Sequence, residues 1–268
     1  MRLLARLVAS SLAMTVPLTS LAGQCTAQSG SGTAALVELY TSEGCNSCPP
    51  ADRWLSGLGA TGYAPGKVVP LSLHVDYWDY IGWKDPYAQA RFSGRQRKLT
   101  QLQRLAFVYT PQVMLQGHDF RAWGSPAFAQ TVERINAQPA RARLTLSVDG
   151  SGRDGMKVEA LSEVLEPAQR QDAALYLAAF ESKLTSRVTA GENRGETLSH
   201  DYVVLEWLGP FDMGPDGRHL ERRSVPFLPK AIPANSGVVA FVQNRRTLEV
   251  LQALMLPLGA PGCRGGKG

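Results

Sequence analysis

The chain has 268 residues, of which 44% are hydrophobic and 19% are charged, and its 26 glycines and 17 prolines indicate many turns. This composition is typical of a globular protein and excludes an intrinsically disordered chain. The formal net charge is only +5 and is scattered, so we expect no nucleic-acid partner. One local cluster, formed by Arg95, Arg97, Lys98 and Arg104, is interpreted as a solvated helix face, with a patch for an anionic partner as the alternative.

The first 22 residues have the pattern of a secretory signal peptide. Arg2 and Arg6 provide a positive start, residues 7–21 are uncharged and mostly apolar or small, and Ser20-Leu-Ala22 matches a small-x-small cleavage site. We therefore expect cleavage after Ala22 and a periplasmic or secreted protein. The apolar stretch is too short and too rich in Ser and Thr for a membrane span, and we expect no spanning segment elsewhere.

Export changes how the four cysteines are interpreted, because disulfides persist outside the cytoplasm. Cys45 and Cys48 are close enough in sequence to pair with each other. Cys25 and Cys263 lie near the two ends of the mature chain, and chain termini often lie close together. A Cys25–Cys263 disulfide is one expectation for this second pair, and two free thiols are the other.

The first half alternates between short apolar runs and helical patterns. Residues 23–33 are small and polar and predict a flexible lead-in. The elements expected after it are a strand at 36–40, a turn and helix at 41–58, a strand at 67–75, one or two helices within 85–106, a strand at 113–116 and a helix at 126–137.

The pattern changes near residue 140, where helical spacing gives way to short alternating strands separated by turns. These strands are expected at 143–148, 156–161, 173–180, 202–208 and 238–242. Short strands at this spacing are typical of a β-sandwich. We therefore predict two domains, an α/β domain at 34–139 and a β-rich, sandwich-like domain at 140–268.

The sharpest chemical motif is Gly44-Cys-Asn-Ser-Cys-Pro49, which lies between a predicted strand and a predicted helix. A helix N-terminus favours the thiolate of Cys45 and lowers its pKa, which makes Cys45 the expected attacking thiol. Cys48, one turn into the helix, would resolve the mixed disulfide. We predict these two residues as the catalytic pair. An inert structural disulfide is the alternative, whereas a zinc site lacks a second CxxC or CxxH.

A second motif, Tyr109-Thr-Pro111, precedes the strand predicted at 113–116. The order strand, CxxC helix, strand, helix, Thr-Pro and strand is similar to that of thioredoxin-like folds, in which a cis proline occupies this position beside the dithiol. The resemblance implies that Thr110-Pro111 is cis and that Tyr109, Thr110 and Pro111 contact the backbone of a partner.

The stretch from Val37 to Asp52, which includes Cys-Asn-Ser-Cys-Pro-Pro-Ala-Asp, closely resembles the signature of a family of secreted bacterial proteins. That family is described only as a domain of unknown function with a thioredoxin-like fold. Residues 74–86, 109–112, 191–195 and 198–200 resemble it as well. The resemblance implies the fold class of a thioredoxin-like α/β N-terminal domain followed by a mostly-β, sandwich-like domain, but it implies no settled activity.

Four further residues are candidates for tuning the thiols. Glu38 lies on the strand that leads to the dithiol, where thioredoxins keep a buried carboxylate, but the spacing is one residue longer and could turn it to the other face. His74 and Asp76 end the next strand, and Trp78 belongs to a dense aromatic stretch that fits either a binding groove or the core. Structural roles for all four are the alternative.

The sequence therefore favours a thiol–disulfide oxidoreductase-like protein that acts on a protein or a small thiol or disulfide, in a direction the motif does not define. Two other classes stay open. One is a Cu(I)-binding protein, in which His74 or His118 would join the two thiolates. The other is a binding module with an inert disulfide. We predict no cofactor and no resident metal.

Overall fold

The structure is a computed structural model that describes residues 24–63, 65–152, 155–228, 231–260 and 263. The predicted signal peptide at 1–22 and its cleavage site after Ala22 lie outside these residues. Within them, no helix is both long enough and apolar enough to cross a membrane.

Three α-helices and fourteen β-strands make up the described part of the chain. The helices are α1 (Pro49–Gly57), α2 (Ala90–Leu102) and α3 (Pro126–Asn136). The strands of the first half are β1 (Gln24–Gln28), β2 (Ala35–Thr41), β3 (Val68–His74), β4 (Gln112–Leu115) and β5 (His118–Asp119). Those of the second half are β6 (Ala142–Asp149), β7 (Gly155–Val164), β8 (Ala173–Glu181), β9 (Leu184–Arg187), β10 (Thr197–His200), β11 (Val203–Asp212), β12 (Arg218–Pro226), β13 (Ser236–Asn244) and β14 (Val250–Pro257).

The predicted fold class is wrong, because strands from both halves join in one central eight-stranded sheet. Its order is β14-β13-β8-β11-β3-β2-β4-β5. The two halves meet where Val203 of β11 pairs in parallel with Ser72 of β3. The first half is thus not a thioredoxin-like α/β domain beside a separate sandwich. An unpaired β3 edge would expose a row of backbone donors and acceptors, and β11 covers it. The sequence boundary at 139/140 stays a prediction.

The central sheet is buried on both faces, which explains why β2, β3, β8 and β13 have no exposed positions. On one face, α2 packs Phe92 and Leu99 against side chains such as Tyr40 and Leu73. On the other face, α1 and α3 cover β2 and β4 through residues such as Leu55.

A second, four-stranded antiparallel sheet covers the rest of that other face, with the order β1-β6-β7-β12. Its strands alternate between buried and exposed positions, and the buried ones, such as Leu144 and Leu146, pack against Leu175 and Leu177 of β8. Cys25 of β1 and Cys263 after β14 are disulfide-bonded and pack into the same core. The pairing that the sequence left open is therefore present.

The small two-stranded sheet of β9 and β10 lies against α1. Thr197–His200 of β10 pairs antiparallel with Leu184–Arg187 of β9. This arrangement brings the segment 188–200 of the second half to the N-terminal end of α1. The two halves consequently meet around the CxxC motif as well as in the central sheet.

Candidate functional site

The Cys45–Cys48 pair lies between the end of β2 and the start of α1, and the two residues are disulfide-bonded. Pro49 opens α1, where its missing N–H removes no helical hydrogen bond. Both cysteines are fully buried, whereas Asn46 and Ser47 between them are exposed. The Ser47 hydroxyl lies 3.3 Å from Sγ of Cys45. The disulfide is therefore covered by neighbouring groups, although the loop that carries it reaches the surface.

Trp78 is one of the groups that cover the dithiol loop. A Cβ atom on Gly44 would lie 3.1 Å from Cβ of Trp78, so a larger residue at position 44 would require Trp78 or the dithiol loop to shift. The indole Nε1 of Trp78 donates a hydrogen bond of 2.7 Å to Oγ1 of Thr110. Trp78 thus connects the dithiol loop with the predicted partner-binding segment. The Thr110–Pro111 peptide bond is cis, as the sequence predicted.

The second half of the chain supplies another part of the cover. Asn193 is buried, and its Nδ2 donates hydrogen bonds to the carbonyl oxygens of Glu43 (2.8 Å) and Cys45 (3.0 Å). Beside it, a carboxylate oxygen of Glu192 accepts a hydrogen bond of 3.0 Å from the backbone N–H of Asn46. Three contacts from one short loop therefore hold the dithiol loop in place.

Behind the dithiol loop lies a buried set of ionisable side chains. Nδ1 of His74 donates to Asp85 over 2.7 Å, and Nε2 of His200 donates to Glu43 over 3.0 Å. The two imidazole rings meet edge to face, with their centroids 4.9 Å apart. Asp85 also accepts from the backbone N–H of Glu43. Both pairs are thus joined to the residue two positions before Cys45.

Asp52 completes this set from α1. Its backbone N–H donates to the carbonyl of Cys48, so the two residues are one helical turn apart on the same face. The side chain is only 6% exposed, and its Oδ1 has no hydrogen-bond partner among the described residues. The same holds for Nε2 of His74 and Nδ1 of His200. Buried polar atoms without partners are costly and uncommon.

Burial and mutual charge shift the titration of these groups. Burial raises the pKa of Asp52 above its usual value, although the neighbouring His200 and His74 counteract part of this effect. Burial works against a charged His74, but the Asp85 carboxylate outweighs it, and the net pKa of His74 is raised. For Asp85, burial likewise opposes the charge, and His74 reverses the balance so that the pKa of Asp85 is lowered. The directions of these shifts favour a charged His74–Asp85 pair and disfavour ionisation of the neighbouring Asp52 carboxyl.

Glu38 does not reach the dithiol. Its side chain lies on the α2 face of the central sheet, where Arg95 binds both carboxylate oxygens at 2.7 and 3.1 Å. The guanidinium of Arg95 stacks in turn over the ring of Trp207, 4.7 Å away. The one-residue difference in spacing turns Glu38 away from α1, because side chains alternate between the faces of a strand.

Asp76 and His118 also lie apart from the dithiol. Asp76 accepts a hydrogen bond from Ser93 of α2, so His74 pairs with Asp85 instead of its close sequence neighbour. His118 is exposed and contacts the carbonyl of Gln116. Within the described ranges, no group of three or more His, Cys, Asp or Glu side chains has the geometry to hold a metal ion.

The family model described as a protein of unknown function, DUF1223, matches residues 36–243. The chain belongs to this family. The family resemblance expected from the sequence is therefore confirmed, and the matched range covers both the dithiol loop and the second-half segment that contacts it. No curated protein matches the chain at a significant level.

Two solved structures resemble this DUF1223 chain over most of its length. A structural-genomics protein from Agrobacterium tumefaciens is 24% identical, with a TM-score of 0.59 and coverage of 85% of this chain and 96% of that one. HBP35 of Porphyromonas gingivalis is 16% identical, with a TM-score of 0.65 and coverage of 86% and 77%. At these identities the likeness shows a shared fold alone. A domain of the outer membrane lipoprotein Omp28 of the same organism is 18% identical, with a TM-score of 0.27 and coverage of 44% of this chain and 88% of that one.

Sequence reasoning missed most of the buried set around the dithiol. It assigned no chemical role to Glu43, Asp52, Asp85, Glu192, Asn193 or His200. The available signal was the family resemblance itself, because Asp52, Asp85, Asn193 and His200 all lie in the resembling stretches. Spacing along the chain did not reveal them, since they come from four separate segments.

Proposed function

We propose that this protein is an exported thiol–disulfide oxidoreductase whose working centre is the Cys45–Cys48 pair. The observation that carries the proposal is the buried carboxyl of Asp52, one helical turn after Cys48 and without a hydrogen bond to its Oδ1 in the described structure. A structural disulfide requires no ionisable neighbour, and burying such a group costs stability. A resolving thiol, in contrast, requires a group that takes its proton.

The proposed exchange proceeds in three steps. The thiolate of Cys45 attacks a disulfide of the partner, which forms a mixed disulfide and releases one partner thiolate. The thiol of Cys48 transfers its proton to the Asp52 carboxylate. The Cys48 thiolate then attacks Sγ of Cys45, which forms the Cys45–Cys48 disulfide and releases the second partner thiolate. Two electrons pass from the dithiol to the partner disulfide, and the reverse sequence oxidises a partner dithiol.

Because both cysteines are buried, the proposed exchange requires that a partner first gain access to their sulfur atoms. Trp78 contacts the dithiol loop at Gly44 and Asn193 binds the backbone carbonyl of Cys45, and we infer that one of these two groups moves when a partner reaches the sulfur atoms. We assign partner contact to Tyr109, Thr110 and Pro111, because the hydrogen bond from Trp78 joins this segment to the cover. The two disulfides suit an oxidising compartment, in agreement with the export proposed from the sequence.

Exchange with a small neutral disulfide, hydroxyethyl disulfide, tests the proposal after prior reduction of the protein. We expect the wild type to become reoxidised while the disulfide is consumed. The Cys48→Ser variant should instead accumulate a mixed disulfide on Cys45, visible by intact mass, whereas Cys45→Ser should form none. A wild-type protein that stays inert, with no adduct in Cys48→Ser under non-denaturing conditions, would show that the disulfide is structural.

A further inference from the structure

The helix α2 and the loop that follows it are strongly biased in charge. Residues 86–118 contain five Arg and Lys residues and no Asp or Glu. Two of the five have acidic partners, because Arg91 pairs with Glu206 and Arg95 with Glu38. The remaining three are exposed and have no ion pair within the described residues; they are Arg97, Lys98 and Arg104. This part of the surface therefore carries positive charge that nothing in the described structure neutralises.

Large apolar side chains lie among these cations. Phe107 is 61% exposed and Leu102 is 45% exposed, and both belong to the same segment of the chain as Arg104. We name Arg97, Lys98, Leu102, Arg104 and Phe107 the basic surface. Cations interleaved with exposed apolar groups are a combination that a hydrated, non-binding helix face does not need.

The basic surface continues into the dithiol site. The guanidinium of Arg97 lies over the ring of Tyr77, 5.9 Å from its centroid, and Tyr77 directly precedes Trp78. On the other side of Thr110, the guanidinium of Arg121 lies 5.3 Å from the ring centroid of Tyr109. Two aromatic rings with a guanidinium nearby thus lie at the partner-contact segment, and one of them, Tyr109, belongs to that segment.

The acidic groups near this region are held by an ion pair or a hydrogen bond, or lie on its far side. Asp119 pairs with Arg121 at 3.1 Å, and Asp76 is bound by Ser93 of α2. Glu192 is exposed, but it belongs to the loop that covers the dithiol from the second half of the chain. On the α2 side, the three cations of the basic surface outnumber the carboxylates of Asp76 and Asp79, so the net charge there is positive and a complementary partner carries negative charge.

We propose that the basic surface is the docking site for an acidic segment of the partner polypeptide, with an apolar side chain of that segment on Phe107. The inference rests on the proposed function, because it names the class of substrate that the dithiol would serve. Carboxylates of the segment would pair with Arg97, Lys98 and Arg104, which would orient the partner disulfide toward Trp78 and the dithiol loop.

Two peptides that share one disulfide-closed ring and differ in their flanks, four Glu or four Lys, test the proposal. Binding is measured by fluorescence anisotropy with reduced and alkylated peptides, so the result does not depend on thiol exchange. We expect the Glu peptide to bind at least about tenfold more tightly at low ionic strength, and the difference to shrink in salt. Thiol–disulfide exchange with the disulfide-closed peptides should likewise be faster for the Glu peptide than for the Lys peptide.

The double variant Arg97→Glu/Lys98→Glu should abolish the preference for the Glu peptide. Its matched control is Arg134→Glu/Lys157→Glu, which changes the net charge equally on α3 and the four-stranded sheet and should retain the preference. Three results would overturn the proposal. The first is equal binding of the two peptides, and the second is an equal effect of the two double variants on the preference. The third is binding of a single-stranded oligonucleotide of the same charge as tightly as the Glu peptide. A wild-type protein that binds the Glu peptide more tightly but does not exchange with hydroxyethyl disulfide would instead count against the proposed function.

Discussion

At the scale of single residues, Asp52 is the group whose position is hardest to explain by packing. It is buried beside the dithiol, its pKa is raised by burial, and its Oδ1 has no partner among the described residues. Because the pKa is raised in the folded protein, ionisation of Asp52 opposes folding. The stability associated with its protonated form is complete at low pH and is lost as the pH rises through the raised pKa.

We therefore expect Asp52→Asn to increase the free energy of unfolding at pH 7 by about 1 kcal/mol and to have little effect near pH 3.5. The same variant should slow resolution of the mixed disulfide, because Cys48 loses its proton acceptor. Urea unfolding at both pH values and stopped-flow exchange measure the two effects. Glu38→Gln is the contrasting variant, since it leaves Arg95 without its counter-ion and should destabilise the protein. A destabilised Asp52→Asn protein at pH 7 would contradict this account.

The ion pair between His74 and Asp85 makes the stability of the protein depend on pH. Its pKa is raised by Asp85, so the stability that its charge contributes is fully present below about pH 6.5, the usual value, and is lost as the pH rises through the raised pKa. The contribution of Asp85, whose pKa is lowered, is lost only as the pH falls through that lowered value. The pair is consequently most stabilising in mildly acidic solution.

The stability difference between the wild type and His74→Gln should accordingly be largest at pH 5 to 6 and should shrink as the solution becomes alkaline. We expect a loss of about 3 kcal/mol in the acidic range, because the variant leaves Asp85 buried without its cation. Denaturant unfolding at a series of pH values measures it. His219→Gln, on the four-stranded sheet, is the control. A difference that stays constant across the series would rule out the charged pair.

At the scale of elements, the loop that carries Asn193 belongs to the second half of the chain and binds the dithiol loop of the first half. Its two hydrogen bonds, to the carbonyls of Glu43 and Cys45, hold the loop against the buried disulfide. Such a loop opens locally at lower cost than the core of the central sheet. Reduction of the disulfide in the native protein should therefore be limited by this opening.

Removal of these two hydrogen bonds by Asn193→Ala should speed reduction of the Cys45–Cys48 disulfide by dithiothreitol about thirtyfold, since each of the two lost bonds is worth about 1 kcal/mol. Asn136→Ala is the matched control, because the Asn136 amide also donates to two backbone carbonyls, those of Thr33 and Lys67. Quenched alkylation followed by mass spectrometry gives the rates. Equal rates in the two variants would mean that the loop does not restrict access.

Individual elements were predictable because their signals are local. The proline-led starts at Pro49 and Pro126 and the alternation along β6 follow from adjacent residues, and these three elements occur close to their expected positions. The sequence did not predict β1, β5, β9, β10, β12 or β14, and β1 lies within the predicted flexible lead-in. The pairing of β11 with β3 was not predictable, since hydrophobic periodicity reports that a strand is buried but not which strand lies beside it. The error in fold class follows from this one missing pairing.

The residues of the candidate site likewise fall into two groups, those that short motifs identify and those that only the fold brings together. Cys45, Cys48 and Pro111 are recognisable from short motifs. Glu38 was a candidate for tuning the thiols whose facing the sequence left open, and strand alternation, a local rule, turns it toward Arg95. Asn193 and His200 reach the dithiol only through the folding of the second half against α1. No spacing rule connects residues that are about 150 positions apart, so their role required the structure.

At the scale of the whole molecule, the Cys25–Cys263 disulfide joins β1 of the four-stranded sheet to the segment after β14 of the central sheet. The bond spans 238 residues, so it limits the unfolded chain far more than the Cys45–Cys48 bond, which spans three. Closing a loop of this length is worth up to about 5 kcal/mol if chain entropy dominates. Under the proposed function, we therefore expect the Cys25–Cys263 disulfide to contribute stability and the Cys45–Cys48 disulfide to carry the exchange.

Replacement of both Cys25 and Cys263 by Ser should lower the free energy of unfolding by about 3 to 5 kcal/mol and leave the rate of exchange at Cys45–Cys48 unchanged. Cys45→Ser/Cys48→Ser should do the reverse, with a smaller loss of stability and no exchange, because its loop of three residues constrains the unfolded chain little. Guanidinium unfolding of both double variants, with exchange assayed well below each unfolding midpoint, separates the two effects. A larger loss of stability from the Cys45→Ser/Cys48→Ser variant would indicate that the buried dithiol pair is the structural bond, and that the long-range disulfide contributes less than its span implies.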